Sequence, residues 1–323
     1  MSWFLLLSLC SVLRLASAHG FVTEVGIDGA IYQGNPPGHN ETVSPIRIVS
    51  SNSPVQNTSD VNLACGLDAQ SAPIDVRTQT GSNVTFDWVS GSGGHWPHGV
   101  GPILTYMASC GGPGSSCTDF NATDGQWFKI DQVAKQSDGT WVQANIMNGA
   151  NFTVILPSDL MPGPYLVRNE LIALQNAMSV GGAEFYPSCT QLNIVGDGTM
   201  VPSPNDTVSL PGAYAATDPG IHVDVYDNPD APYVFPGPPI ATFVPQTTMG
   251  VPTLTQSQPD APAEAPAEAP AEAPVSTPTD PPPSAASPTD NFNNGEMAVL
   301  IVPGVGSPNV RRHTLVIDPR WSR

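Results

Sequence analysis

Six histidines are the residues of this 323-residue chain best placed to do chemistry: His19, His39, His95, His98, His222 and His313. A neutral imidazole is a metal ligand through either ring nitrogen. What precedes His19 sets it apart. Trp3–Cys10 is an apolar run, and Ala16-Ser17-Ala18 is a small-residue cleavage site. Residues 1–18 therefore read as a secretory signal peptide, although Arg14 follows the apolar run instead of preceding it. Cleavage leaves His19 with a free α-amine, a group that titrates near about 8 and yields its proton readily to a metal. Amine and imidazole of one residue close a chelate ring, and a second imidazole from elsewhere completes a planar set of three nitrogens. Nitrogen-rich tetragonal sites favour Cu(II), which also heads the first-row affinity order.

Removal of the leader takes Cys10 and leaves four cysteines, Cys65, Cys110, Cys117 and Cys189. An even count in a secreted chain reads as two disulfides, with three pairings open. Cys110 and Cys117 flank a Gly-Gly-Pro-Gly loop that a local bridge would staple, which leaves Cys65 for Cys189. The spacings match no zinc module. Six Asn-X-Ser/Thr sequons, at Asn40, Asn57, Asn83, Asn121, Asn151 and Asn205, are candidate glycan sites and suit an extracellular protein.

Twenty-eight acidic against ten basic side chains give a net charge of −18. That balance excludes binding through nucleic-acid phosphates, which depends on Lys and Arg. Hydrophobic residues, at 40%, suffice for a core, while 30 Gly and 36 Pro favour short strands and turns over long helices. No stretch approaches the roughly 20 apolar residues of a membrane-spanning helix. Carboxylates are plentiful, yet no pair is placed as a glycosidase acid and base. Phosphate loop, nucleophile elbow and zinc-protease motif are all absent from the sequence.

Composition changes sharply near residue 245. The stretch 246–290 is rich in Pro, Ala and Glu, with Ala-Pro-Ala-Glu repeated between Ala261 and Pro274, and reads as an extended, solvated linker. A tail over 291–323 carries Arg311, Arg312, Arg320 and Arg323 but no cysteine, and its apolar run Met297–Val302 is too short for a span. No physical role is assigned to it. The globular part is 19–245, where twenty acidic residues face five basic ones. Within it Asn83–Val89, Ile103–Met107, Phe152–Leu156, Tyr165–Leu174 and Leu192–Val195 alternate or form short apolar runs between turn residues, as strands do. Repeated short strands without a long amphipathic helix predict an all-β, antiparallel sandwich. Long connections such as Ile31–Ala64 then decorate one face.

Several longer segments carry a resemblance. They are His19-Gly20-Phe21-Val22, His98–Met107, Tyr165–Leu174, Gly182–Cys189 and Pro211–Gly220. In this order they resemble the fungal lytic polysaccharide monooxygenases of auxiliary activity family 9, formerly glycoside hydrolase family 61. The likeness covers 19–245 and does not reach the linker or the tail. It implies an immunoglobulin- or fibronectin-like β-sandwich whose long loops form a flat substrate face, with one copper held by a histidine brace. His19 would supply the amine and one imidazole, His98 the second imidazole, and Tyr186 an axial phenol. The family often spells its motif His-X-Gly-Pro; here it is His98-Gly99-Val100-Gly101-Pro102, one residue longer. His95 is the rival and would need three further residues looped out. Where the family commonly has a histidine near the metal this chain has Gln175, and where it commonly has glutamine it has Glu184. Gln175 can still donate through its amide but is no acid near neutral pH. Glu184 either brings charge beside the metal, stays protonated if buried, pairs with Arg168, or solvates a face.

The resemblance thus implies a secreted, monomeric copper monooxygenase that cleaves β-1,4-glucan, cellulose foremost, at C1 and/or C4. Its needs would be an external electron donor and oxygen or hydrogen peroxide. Tyr32, Tyr226 and Tyr233 are candidates for stacking on sugar rings, with Tyr233 in Ala231–Pro236 the strongest. Two rival readings are a copper-binding protein of the same fold without polysaccharide activity, and a carbohydrate-binding wall protein.

Overall fold

The computed structural model describes residues 18–245. The expected leader up to residue 17, the linker over 246–290 and the tail over 291–323 lie outside the described residues. In chain order the strands are β1 (Gly20–Ile27), β2 (Ala30–Gln33), β3 (Val76–Gln79), β4 (Asn83–Ser90), β5 (Ile103–Ser109), β6 (Trp127–Val133), β7 (Phe152–Ile155), β8 (Gly163–Ala173), β9 (Glu184–Val195) and β10 (Thr207–Val208). They form a four-stranded sheet in the order β2-β1-β4-β7 and a six-stranded sheet in the order β10-β6-β5-β8-β9-β3. The α-helix among the described residues, α1 (Val142–Met147), has six residues.

Local chemistry explains the pieces. β1 and β2 turn on Asp28-Gly29, both at positive φ (48° and 86°), as the tight hairpin turn with right-handed strand twist requires. β4 alternates strictly between buried and outward residues, so one face of the first sheet is solvated. β8 is buried along its whole length because both of its faces are covered. Tyr165, Val167, Leu171 and Ala173 point between the sheets, where they meet Phe86, Trp88, Ile103 and Phe152. Leu166, Ile172 and Leu174 point the other way, into a second apolar layer with Leu63, Tyr106, Phe185 and Tyr214 contributed largely by the covering loops.

All five expected strand segments coincide with strands, except that Leu156 and Leu174 fall one residue beyond β7 and β8, and the β-sandwich is present. One pairing departs from the antiparallel expectation: β3 runs parallel to β9 at the sheet edge, Val76 opposite Leu192. Both expected disulfides are formed, Cys65 with Cys189 across 124 residues and Cys110 with Cys117 across seven. The longer one ties the loop over the second sheet to β9.

Beneath that loop lies a buried ion pair. Arg168 donates to both carboxylate oxygens of Glu170, at 2.9 and 2.5 Å, and to the carbonyls of Leu63 and Ala64. Tyr214 donates to Glu170 at 2.7 Å. Arg168 is thereby committed to Glu170, which removes it as a partner for Glu184. Arg47, Lys129 and Arg168 are all buried, which leaves an exposed Arg77 and a half-buried Lys135 among the five basic residues of 19–245. The outer surface is accordingly anionic. Among the described residues no helix is long and apolar enough to cross a membrane.

Candidate metal centre

Strand register brings the chemically distinctive residues to one end of the sandwich. Gly20 pairs with Ser90, so the start of β1 lies at the end of β4. Ile103 pairs with Leu171 and Ala173 with Glu184, so β5 begins, β8 ends and β9 begins at one level. His19 immediately precedes β1, His98 lies on the β4–β5 connection, Gln175 follows β8, and Glu184 and Tyr186 open β9. Two residues apart on a strand, Glu184 and Tyr186 share a face. The His19 carbonyl accepts from the amide of Gly91 at 2.7 Å, which fixes the start of β1 against the chain leaving β4.

The rings gather around Tyr186. Its centroid lies 5.8 Å from that of His98 and 6.5 Å from that of His19. The Tyr186 hydroxyl is 3.3 Å from His98 Nε2. It donates to Glu184 Oε2 at 2.9 Å, and the Gln175 amide donates to the same oxygen at 2.9 Å. His98 Nε2 lies 3.6 Å from that oxygen. Burial lowers the pKa of His98, with Glu184 opposing part of the shift. Burial thus favours the uncharged form of the ring, which can ligate a metal. Burial, then the Glu184 charge and hydrogen bond, push the Tyr186 phenol far above its ordinary value, so it stays protonated.

Trp96, which sequence reasoning missed, is the floor under these groups. It is fully buried, edge-on to Tyr186 at 4.8 Å and 90°, to His98 at 5.2 Å, and to Trp88 at 5.5 Å. A Cβ on Gly20 would fall 2.8 Å from its ring, so glycine after His19 is needed for the close approach. The signal in the sequence was a tryptophan two positions before His98.

The other histidines are elsewhere. His95 bridges to Val89, and its ring lies where a Cβ on Gly149 would be, 2.8 Å away. His39 sits 3.5 Å from Glu41, and His222 meets the carbonyl of Met178. His313 lies outside the described residues. Tyr233 is half-buried, donates to the carbonyl of Gly220 at 2.5 Å and packs edge-on against Trp141 and Phe235. Those contacts give it a packing role in place of an open stacking face, whereas Tyr226 is 56% exposed. Asn40, Asn57, Asn83, Asn121 and Asn205 are exposed and Asn151 is half-buried.

Among the described residues no three His, Cys, Asp or Glu side chains form a metal-holding group. A brace needs no such trio, since two imidazoles and an amine supply it. The donor chemistry fits copper: a neutral His98 nitrogen and a protonated phenol converge beside His19. The Gln175 Oε1 atom is buried without a hydrogen-bond partner, while its Nε2 holds Glu184.

Comparison with known proteins agrees with this geometry. The sequence profile of Auxiliary Activity family 9 (formerly GH61) matches residues 19–233. The chain is 52% identical over 241 residues to AA9 family lytic polysaccharide monooxygenase D of Gloeophyllum trabeum, covering 74% of this chain and 69% of that protein. The extended catalytic domain of H. jecorina LPMO9A superimposes with a TM-score of 0.65 at 28% identity, over 74% of this chain and 96% of that one. A cellulose-active polysaccharide monooxygenase from M. thermophila gives 0.60 at 32% identity, over 69% and 98%. The chain belongs to Auxiliary Activity family 9, a family of lytic polysaccharide monooxygenases.

Proposed function

We propose that residues 19–245 are the catalytic domain of a secreted copper monooxygenase that cleaves β-1,4-glucan, cellulose foremost, at C1 and/or C4. Residues 246–290 act as its linker, and an external reductant with oxygen or peroxide completes the reaction. The observation that carries the reading is the convergence of His98 Nε2 and the Tyr186 hydroxyl, 3.3 Å apart, beside His19. The cellulose-active relative from M. thermophila supports the choice of substrate.

In this reading His19 and His98 would hold one copper ion, with the Tyr186 hydroxyl beside it. Bound copper would supply the one-electron chemistry that activates oxygen or peroxide for attack on a sugar C–H bond. The chain's own residues set the conditions. Burial keeps His98 neutral and able to ligate. Tyr186 keeps its proton and directs it to Glu184, so its oxygen is a neutral, weak donor. Gln175 holds the other side of Glu184, which fixes the carboxylate. Loss of residues 1–18 acts twice: it frees the His19 amine, and it removes the Ala18 backbone that hydrogen-bonds to His98.

Intact mass and copper analysis of the secreted protein test the reading together. A chain beginning at His19 with one tightly held Cu(II) is expected. Tight copper on a chain that retains residues before His19 would refute the amine's part in the site. A second reading, a copper protein without polysaccharide activity, is favoured by the Glu184 carboxylate beside His98, and copper uptake without oxidised sugar products would select it.

A further inference from the structure

We infer that Gln143, on α1 and outside the metal site, is a positioning residue that sets the angle between His98 and Tyr186 through Trp96. The inference rests on the proposed copper reading. Gln143 is fully buried, a costly place for an amide unless its bonds are made. They are made. Its Nε2 donates to the carbonyls of Pro102 and Ile172 at 2.8 and 3.0 Å, and its Oε1 accepts from the Trp96 indole at 3.1 Å.

Those partners are informative. Pro102 ends the connection that carries His98, and Ile172 lies near the end of β8, three residues before Gln175 and opposite Phe185 of β9. The Trp96 indole N–H, the ring's only polar handle, is spent on Gln143. The ring itself touches His98, Tyr186 and the backbone beside His19. One side chain therefore ties the floor of the site to the connection that carries His98 and to the end of β8. The chain makes room for it: a Cβ on Gly101 would lie 2.7 Å from Gln143 Nε2 and 1.9 Å from the Ile172 carbonyl. Gly101 belongs to the His98–Pro102 segment, so the room for the clamp is made in the same connection that carries His98.

The test uses the mature protein with Cu(II) added. Gln143→Leu strips the donors from two carbonyls and leaves the Trp96 N–H unmatched; Gln143→Met, close in volume, serves if the leucine variant does not fold. Trp96→Phe keeps the Gln143 bonds to the strands but cuts the link to the ring. Leu160→Ala, a fully buried position at the opposite end of β8, is the control for general destabilisation. Gln143→Leu and Trp96→Phe are each expected to weaken Cu(II) binding about tenfold in calorimetry and to change the copper hyperfine splitting in the electron paramagnetic resonance spectrum. Leu160→Ala should lower the melting temperature with both readouts unchanged. Spectra and affinity unaltered by Gln143→Leu, with parent protein binding copper normally, would overturn this inference alone. Parent protein that takes up no Cu(II) would overturn the copper reading and this inference with it.

Discussion

The hydroxyl of Tyr186 donates to the carboxylate of Glu184, two residues earlier on the same strand, at 2.9 Å. The phenol is thus oriented by a side chain that β9 itself delivers, since alternate residues share a face. Glu184 in turn is held by Gln175 and lies 3.6 Å from the His98 ring. An acceptor with two donors and an imidazole around it is an anchor for the whole end of the sandwich.

Glu184→Gln keeps an acceptor for Tyr186 and adds an N–H donor that a carboxylate lacks. Copper affinity is expected to stay within about twofold, well inside the ~1.4 kcal/mol that makes a tenfold change, because neither His19 nor His98 is altered. Product formation driven by peroxide should be several-fold faster at neutral pH once the negative charge is gone. Glu184→Ala leaves the Tyr186 hydroxyl without its partner and should change the copper spectrum. Large copper loss in the glutamine variant would show that Glu184 is itself a ligand.

His98 titrates below its ordinary value because it is buried, with Glu184 offsetting part of that shift. The unfolded chain then binds a proton at a pH where the folded chain does not. Stability of the metal-free protein should therefore fall as pH drops from about 6.5 toward the folded value, and copper loading should fall in the same direction. Glu184→Gln removes the opposing influence and should move the His98 titration lower still. Proton NMR of the imidazoles reads both effects, and a His98 titration at or above the ordinary value would contradict them.

The two disulfides differ greatly in the loop they close, 124 residues against seven. On a loop-closure entropy argument the long one contributes about 5 kcal/mol and the short one about 2.5 kcal/mol. Thermal denaturation should rank the Cys65→Ala/Cys189→Ala double variant well below Cys110→Ala/Cys117→Ala. Copper retention should follow the same order, because Cys189 lies three residues from Tyr186 on β9.

Arg168 and Glu170 are completely buried and bonded through both oxygens. Glu170→Gln leaves a guanidinium charge uncompensated in the interior, a change that costs about 3–5 kcal/mol. Denaturant unfolding is the direct measurement, and a loss below about 1 kcal/mol, the range of exposed pairs, would contradict the burial.

Much of this was legible in the residues. β4 and β5 stand out by alternation and short apolar runs. β9 does not: Glu184, Ser188, Thr190 and Gln191 are buried in it, so only Leu192–Val195 reads as apolar strand. Gln191 is tolerated there because partners far away in sequence satisfy it: it bonds Ala72, Ile74, Asp75 and Arg47. The parallel pairing of β3 escapes notice for a related reason, since four residues at an edge carry no sign of direction. At the site His19, His98 and Tyr186 were visible as types of residue in a known order. Trp96 and Gln143 were not, because their importance lies in whom they touch. The contacts of Tyr233 were equally invisible, its hydroxyl and ring being engaged by Gly220, Trp141 and Phe235.

Mass spectrometry of the soluble products released from cellulose is the most direct test of the proposed activity. The mature protein beginning at His19 should release oligosaccharides oxidised at C1 and/or C4 only when copper and a reductant are both present. His19→Ala and His98→Ala should abolish those products while the disulfide-linked fold remains. Oxidised products that persist after copper is stripped from the protein, or cellulose that yields none with copper and reductant supplied, would contradict the reading.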